Sequence, residues 1–132
     1  MDKEFEIFKN GSTWLRADFH LHTKADKEFV YRGEDNSFVS DYVNKLSKEK
    51  IGVAAITNHN KFDFNEYKAL AKKSRKQEIY LLPGVELSVN DGANGIHCLV
   101  VFNPMEWLEN GNDYINHFIT QTFAGKQNFE NE

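Results

Sequence analysis

The chain has 132 residues, 40% of them hydrophobic and 14% aromatic, so it can bury one core and is too short for two. Its net charge of −4 argues against a general binder of nucleic acids or anionic membranes. The single cysteine excludes an intrachain disulfide, which fits a reducing compartment. Because the N-terminus lacks a signal-peptide pattern and no run reaches the roughly 18 apolar residues of a membrane span, we predict a cytoplasmic protein without a membrane partner.

Strand-like and helix-like patterns alternate along the first two thirds of the chain. Phe38, Tyr42 and Leu46 recur at helical spacing, whereas residues 52–57 form the continuous apolar run of a strand buried on both faces. The predicted elements are a buried strand at 14–21, a helix from 36 or 37 to 50, the strand at 52–57, a helix at 65–76 and a strand at 79–89. This alternation predicts an α/β fold with parallel central strands.

Three features end this pattern. Pro83 and Gly84 lie inside the strand at 79–89, and a proline there indicates an edge, a bulge or a bend. The turn signals at 90–95 leave no room for a crossover helix, so the strand at 96–102 should return antiparallel as a hairpin. Apolar residues at 104–124 then predict one or two amphipathic helices.

Histidines and one glutamate follow the predicted strands at the edge where α/β folds build their sites. His20 and His22 end the first strand about 7 Å apart on one face, and His59 follows the second strand. Glu86 lies near the end of the third strand, and the hairpin would bring His97 roughly opposite it. A lone buried carboxylate is costly, so metal ions bridged by Glu86 would satisfy the whole group. The alternative is that the histidines only cap a core strand through hydrogen bonds.

The same residues resemble the PHP domain family (polymerase and histidinol phosphatase). Four motifs carry the resemblance in the family's order: Asp18-x-His20-x-His22-Thr23, Ile56-Thr57-Asn58-His59-Asn60, Pro83-Gly84-Val85-Glu86 and Ile96-His97-Cys98-Leu99-Val100. The lead-in at 11–14 is most similar to PHP modules of TrlF-type AAA/SMC-like ATPase proteins. The resemblance implies a distorted (β/α) TIM-like barrel of PHP type, with mostly parallel strands, that binds two or more divalent metal ions and hydrolyses phosphate esters.

The resemblance also implies roles for individual residues. The metal ligands would be His20, His22, His59, Glu86 and His97. Glu86 would bridge the metals, Glu86 and His59 would be the catalytic residues, and zinc, manganese or iron would be the cofactor. Asp18 would not bind a metal itself but would orient one of the histidines that do.

The chain departs from the family pattern at several positions. Asn58 stands where the family usually has aspartate, and Asn60 where it often does. Asp26 and Glu28 follow the first motif, and their role stays open. The family's later motifs, a further histidine and an Asp-x-His, are absent. Because a closed barrel takes about 200 or more residues, we predict one incomplete PHP-like domain over 1–132, with motifs at 13–102 and a helical segment at 104–124. It is either a fragment or completes its sheet by pairing with another copy.

Two functions from different classes follow. The first is a metal-dependent phosphoesterase acting on a nucleic-acid end, a nucleotide or a small phosphate ester, whose metals lower the pKa of water and neutralise the phosphate. The second is an inactive metal-binding module that stabilises or regulates an attached ATPase, which Asn58 and Asn60 favour. We expect this chain alone to be weak or inactive as an enzyme. A cysteine hydrolase using Cys98 and His97 is disfavoured, because strand neighbours face opposite sides and Cys98 should face the core.

Overall fold

The computed structural model describes residues 8–89 and 95–123. The elements in chain order are β1 (Ala17–Leu21), a 3-10 turn (Asp35–Ser37), α1 (Phe38–Lys48), β2 (Val53–His59), α2 (Phe64–Lys76), β3 (Tyr80–Val89), β4 (Ile96–Val101), β5 (Leu108–Glu109), β6 (Asn112–Asp113) and α3 (Tyr114–Thr122). Most of the turn predicted at 90–95, and the last residue of the segment predicted at 104–124, lie outside the described residues. No helix in the described ranges is both long enough and apolar enough to cross a membrane.

One four-stranded sheet organises the fold. Its strands lie in the order β1–β2–β3–β4, with β1, β2 and β3 parallel and β4 antiparallel to β3. The helices α1 and α2 are the crossover connections that parallel neighbours require. The predicted parallel central strands and the predicted antiparallel return are both confirmed.

The core lies between this sheet and the helices. β2 is its most enclosed strand, since residues 53–58 are all buried. Helical spacing turns Phe38, Val43 and Leu46 of α1 inward, together with Tyr67 and Leu70 of α2. Each such side chain contributes about 1.5–3 kcal/mol when fully buried, which holds the helices against the sheet.

The first strand is shorter and more exposed than predicted. β1 begins at Ala17, and the side chain of Trp14 is 92% exposed. The physical reason is that its partner β2 begins at Val53, directly opposite Ala17, so that earlier residues have no strand to pair with. β1 is also an edge strand of the described sheet. The prediction of a buried strand at 14–21 is therefore wrong in its start and in its burial.

Pro83 lies inside a regular central strand, and the expected edge, bulge or bend is not found there. β3 pairs with β2 in unbroken register across Pro83, and pairing with β4 begins only at the next residue, Gly84. The Pro83 carbonyl still accepts a hydrogen bond from the Phe102 N–H at 2.8 Å. Gly84 allows the close approach of β4, because a Cβ there would lie 2.6 Å from the Val100 carbonyl oxygen.

The segment after β4 contains a small hairpin and one helix. β5 and β6 pair antiparallel, and Asn110 and Gly111 make the turn between them with φ values of 52° and 80°. An Asn-Gly pair is a strong hairpin signal, so the prediction of only helices at 104–124 is wrong for this part. Asp113 then caps α3, because its side chain accepts hydrogen bonds from the N–H groups of Ile115 and Asn116.

Candidate metal centre

The Glu86 carboxylate is the centre of the histidine cluster. Its Oε2 lies 3.0 Å from His20 Nε2, 2.8 Å from His22 Nε2 and 3.1 Å from His59 Nε2. Its Oε1 lies 2.7 Å from His97 Nδ1. The side chain of Glu86 is only 2% exposed. The structure thus brings together all the residues predicted as metal ligands, with four imidazole nitrogens around one buried carboxylate.

The ends of the parallel strands position three of the histidines. His20 lies in β1 and His22 follows its last residue, so their rings share one face. The hydroxyl of Tyr42 on α1 donates a hydrogen bond to the His22 carbonyl at 2.8 Å, which fixes the backbone there. His59 is the last residue of β2 and pairs in register with Glu86 of β3. These side chains therefore lie close together at the carboxyl ends of the parallel strands, as the sequence predicts.

His97 reaches the cluster from a register other than the one predicted. It lies opposite Ser88, and the residue opposite Glu86 is Leu99. Residues two apart on a strand share a face, so His97 still points to the side of Glu86 as its diagonal neighbour. Cys98 points to the other face, as predicted, but it is exposed and not part of the core, because β4 is an edge strand of the described sheet.

The cluster opens towards the two edges of the sheet. The side chains of His59 and His22 are 16% and 23% exposed, whereas those of His20 and His97 are 53% and 58% exposed. The two exposed histidines belong to β1 and β4, the outermost strands of the described sheet. Solvent or a further group therefore reaches the cluster from these two sides.

Hydrogen bonds stabilise Glu86 in its charged form. Burial alone would raise the pKa of its carboxyl, but hydrogen bonds from His20, His22 and His97 outweigh burial. They lower the pKa of Glu86 to about 2. The buried carboxylate is therefore an anion that the surrounding imidazoles compensate.

Asp26 is a member of this site whose role the sequence left open. It is buried in the loop after β1, and its Oδ2 lies 2.8 Å from both the backbone nitrogen and the Nδ1 of His59. Burial works to raise the pKa of Asp26, but hydrogen bonds from the backbone of His59 and Glu28 lower it. The sequence indicates this role only by placing an aspartate four residues after His22. Strand periodicity predicts which side chains share a face within a strand, but it predicts nothing about the position of a residue in the following loop. The side chain of Glu28 is mostly exposed, with its Oε2 3.8 Å from His59 Nδ1.

The Asp26 contact determines which nitrogen of His59 faces the cluster as an acceptor. An ionised carboxylate only accepts hydrogen bonds, so Nδ1 of His59 must carry the proton that it shares with Asp26. In the neutral ring, Nε2 then presents a lone pair 3.1 Å from the Glu86 oxygen. Two acceptors at this distance need a cation or a proton between them. The donor set therefore fits a divalent metal, and the aspartate–histidine contact is the usual support of a metal-bound imidazole.

Three groups of side chains bring their ligand atoms within 4.8 Å of one another. The groups are His20, His22 and Glu86; His59, Glu86 and His97; and His22, Asp26, Glu28 and His59. Glu86, His22 and His59 each belong to two of them. Imidazole nitrogen combined with carboxylate oxygen suits zinc, manganese or iron, so the residues present fit the implied metals.

Asp18 and Asn60 form hydrogen bonds with backbone groups near the cluster. Asp18 accepts a hydrogen bond from the backbone N–H of His20 at 3.1 Å, so it supports the chain at His20. Asn60, at φ 50°, donates its backbone N–H to the Glu86 carbonyl and accepts the Ser88 N–H through its side chain. Asparagine tolerates this left-handed conformation better than most residues. The Asn60 side chain is thus occupied in joining β2 to β3.

A cavity of about 560 Å³ adjoins the cluster on the side of β1. Its walls are largely aromatic, and His20 and His22 belong both to the cavity and to the cluster. The aromatic residues that line it are Phe29, Tyr31, Phe38 and Tyr42. A group bound at the histidines therefore has an apolar space directly beside it.

Comparison with known proteins defines the fold. No protein-family model matches the chain, and no curated protein matches its sequence. A solved structure of an amidohydrolase from Chromobacterium violaceum, with bound sulfate and no metal, is similar in fold with a TM-score of 0.54 and 16% identity. The match covers 80% of this chain and 32% of that chain, so this chain spans about a third of the length of its structural neighbour. The predicted fold class is confirmed: the chain is a partial TIM-like α/β barrel with mostly parallel strands and one antiparallel hairpin.

Proposed function

We propose that this chain carries the metal centre of a metal-dependent hydrolase of PHP type whose substrate is a phosphate ester. The observation that carries the proposal is the Glu86 carboxylate, buried and shared by four imidazoles, with Asp26 orienting His59. Hydrogen bonds from the histidines keep this buried carboxylate ionised in the metal-free protein, and the same cluster offers ligand atoms of the right chemistry for a divalent metal. The four sequence motifs that resemble the PHP family support the finer assignment.

The residues of the chain divide into ligands and supports. His20, His22, His59, Glu86 and His97 would hold the metals, with Glu86 between them. Divalent metals at this position supply charge neutralisation for a phosphate group and lower the pKa of water. Asp26 holds the His59 ring in one tautomer, and the burial of Glu86 keeps water from competing for its carboxylate.

The cavity beside His20 and His22 supports a phosphate ester with an organic group of moderate size. The phosphate would lie at the histidines, and the organic part would occupy the aromatic space next to them. Stacking of a planar group on Phe29, Tyr31 or Tyr42 is the interaction that such walls offer. A nucleotide, a nucleic-acid end and a small aromatic ester all meet this description.

A second candidate is an inactive metal-binding module that serves an attached ATPase domain. The half-exposed His20 and His97, on the two outer strands, favour it, because a site open at both sides lacks some of the groups that position a substrate. A second copy of the chain or an attached domain would cover these edges in either case. The asparagine departures no longer favour it, since Asn60 joins two strands and Asn58 contacts Thr23, so neither replaces a ligand of the cluster.

The test combines metal content with ester hydrolysis. Protein purified without chelator should contain at least about one equivalent of zinc, manganese or iron by elemental analysis. It should hydrolyse p-nitrophenyl phosphate or bis(p-nitrophenyl) phosphate slowly, and chelator as well as Glu86→Gln should abolish the reaction. Glu106→Gln, at an exposed position, is the matched control and should change neither quantity.

The outcomes separate the two candidates. Metal bound in stoichiometric amount without any ester hydrolysis favours the inactive module. Hydrolysis that survives Glu86→Gln contradicts the site, and failure to bind any of the three metals contradicts both candidates.

A further inference from the structure

Thr23 connects three elements next to the cluster. Its backbone N–H donates to Asn58 Oδ1 at 2.8 Å, and Asn58 Nδ2 donates to Thr23 Oγ1 at 2.9 Å. The Thr23 hydroxyl in turn donates to Glu66 Oε1 on α2. Thr23 and Asn58 are buried, and Glu66 is partly buried. The loop after β1 is thereby joined to β2 and to α2 through one hydroxyl group.

The direction of these hydrogen bonds is fixed by chemistry. A backbone N–H can only donate, so the Asn58 atom that faces it must be oxygen, and the atom that faces the Thr23 hydroxyl must be the NH₂ group. The Thr23 hydroxyl has a single proton, which it donates in a hydrogen bond to the Glu66 carboxylate. The side-chain hydrogen bonds therefore run one way, from the Asn58 NH₂ group through the Thr23 hydroxyl to Glu66, while the Thr23 backbone N–H donates to Asn58 Oδ1. Glu66 also takes part in the N-terminal cap of α2. Its backbone N–H donates a hydrogen bond to the Asp63 side chain, while its own carboxylate accepts one from Thr23.

We infer that Asn58 and Glu66 are positioning residues, which use Thr23 as a one-way hydrogen-bond relay to hold the loop that carries His22 and Asp26. Thr23 directly follows His22, and its carbonyl accepts the Asp26 N–H at 2.9 Å in a tight turn. A shift of Thr23 would therefore move Asp26 away from the His59 ring. This consequence for metal binding rests on the proposed metal centre, whereas the relay itself is a property of the metal-free fold.

The inference gives a reason for asparagine at position 58. An aspartate there would present two acceptors to Thr23, so its hydroxyl proton would be demanded by two carboxylates at once. One of the two contacts would then pair lone pairs with lone pairs, and two negative charges would face each other across Thr23. Aspartate at position 58 is compatible with the relay only if the residue at position 66 can donate a hydrogen bond.

A double-mutant cycle tests this directly. In Asn58→Asp, two carboxylates face the Thr23 hydroxyl, which can donate its single proton to only one of them. In Glu66→Gln, the amide oxygen at position 66 still accepts the hydrogen bond from the Thr23 hydroxyl. Combining both substitutions reverses the relay, because the new amide at position 66 would donate to Thr23, and Thr23 would donate to the new carboxylate at position 58. The double variant has the same net charge as the wild type, but it also removes the repulsion between the two carboxylates that Asn58→Asp creates. The same rescue in a Thr23→Val background, which lacks the hydroxyl, would show that charge and not the relay is its cause. Asn44→Asp, on the exposed face of α1, controls for an added negative charge.

Melting temperatures of metal-free protein give the first readout. We expect Asn58→Asp to melt about 5–10 °C below the wild type and Glu66→Gln within about 3 °C of it. The double variant should recover to within about 3 °C of Glu66→Gln. If Asn58→Asp does not fold, Thr23→Val and Thr23→Ser replace it, and only the valine, which lacks the hydroxyl, should be strongly destabilised.

Metal affinity gives the second readout. If Asn58 contributed only to stability, the zinc affinity of the folded Asn58→Asp protein would equal that of the wild type. Zinc titration should show about tenfold weaker binding in Asn58→Asp and recovery in the double variant. A double variant that melts no higher than Asn58→Asp overturns the relay. Recovered melting with unrecovered affinity overturns the positioning role. If wild type binds no metal, the metal-centre proposal fails, and the melting cycle still decides the relay.

Discussion

Asp26 Oδ2 lies 2.8 Å from the backbone nitrogen of His59 and 2.8 Å from its ring Nδ1. Because one oxygen contacts the main chain and the ring together, it fixes both the position and the rotation of the imidazole. The Nε2 atom is thereby directed at Glu86, 3.1 Å away. The loop after β1 and the end of β2 thus determine together how His59 meets the cluster.

Asp26→Asn should weaken metal binding without removing it. The asparagine retains one oxygen acceptor, but that oxygen cannot replace both oxygens of Asp26, one of which contacts His59 while the other accepts the Glu28 N–H at 2.9 Å. We expect the zinc dissociation constant to rise about 10–100-fold, measured by competition with a chromophoric chelator. Asp35→Asn, an exposed aspartate, is the matched control. Equal affinities in both variants would show that Asp26 does not support the site.

The parallel and antiparallel directions of the strands and the composition of the cluster could be predicted because they follow simple periodicities. Continuous burial identifies β2, and the carboxyl ends of parallel strands must share one edge of a sheet. His20, His22, His59 and Glu86 lie at that edge for this reason. None of these inferences needs the detailed path of a loop.

The features that the sequence did not predict depend on loop paths and on exact register. Asp26 reaches His59 through a turn whose shape no strand or helix pattern specifies. The partner of His97 is Ser88 and not Glu86, and a two-residue step of this kind leaves the alternation of faces unchanged. In the sequence, Asn58 and Asn60 are departures from the PHP pattern that favour an inactive module, whereas in the structure their side chains contact Thr23 and the backbone of Ser88.

Removing His20 and His22 together should remove bound metal. The double substitution to alanine eliminates two imidazoles, one on β1 and one directly after it, that lie 3.0 and 2.8 Å from Glu86 Oε2. We expect metal content by elemental analysis to fall below about one tenth of an equivalent. His117→Ala is the matched control, since His117 lies exposed on α3 and belongs to none of the ligand groups found. Full metal content in the double variant would refute the site assignment.

Acid should reduce the stability that Glu86 contributes to the metal-free protein. Burial opposes ionisation, but hydrogen bonds from the histidines lower the pKa of Glu86 to about 2, against about 4.3 in the unfolded chain. A lowered folded-state pKa adds stability that is complete above the unfolded-state value and is lost as the pH falls through the folded-state value. The difference in unfolding free energy between wild type and Glu86→Gln should therefore shrink from about pH 4.5 to pH 2, measured by urea titration. A constant difference over this range would contradict the lowered pKa.

Metal removal should destabilise the wild type more than it destabilises Glu86→Gln. Binding to the native state alone adds about 2.7 kcal/mol when free metal is at one hundred times its dissociation constant, which corresponds to about 10 °C in melting temperature for a chain of this size. In Glu86→Gln a neutral amide replaces the carboxylate that contacts all four histidines, so less than about half of this gain should remain. Scanning calorimetry of both proteins with zinc and with chelator measures the two shifts, and Glu106→Gln should behave as wild type. If chelator leaves the melting temperature of the wild type unchanged, the histidines alone satisfy Glu86, and the cluster is a hydrogen-bonded cap of the sheet.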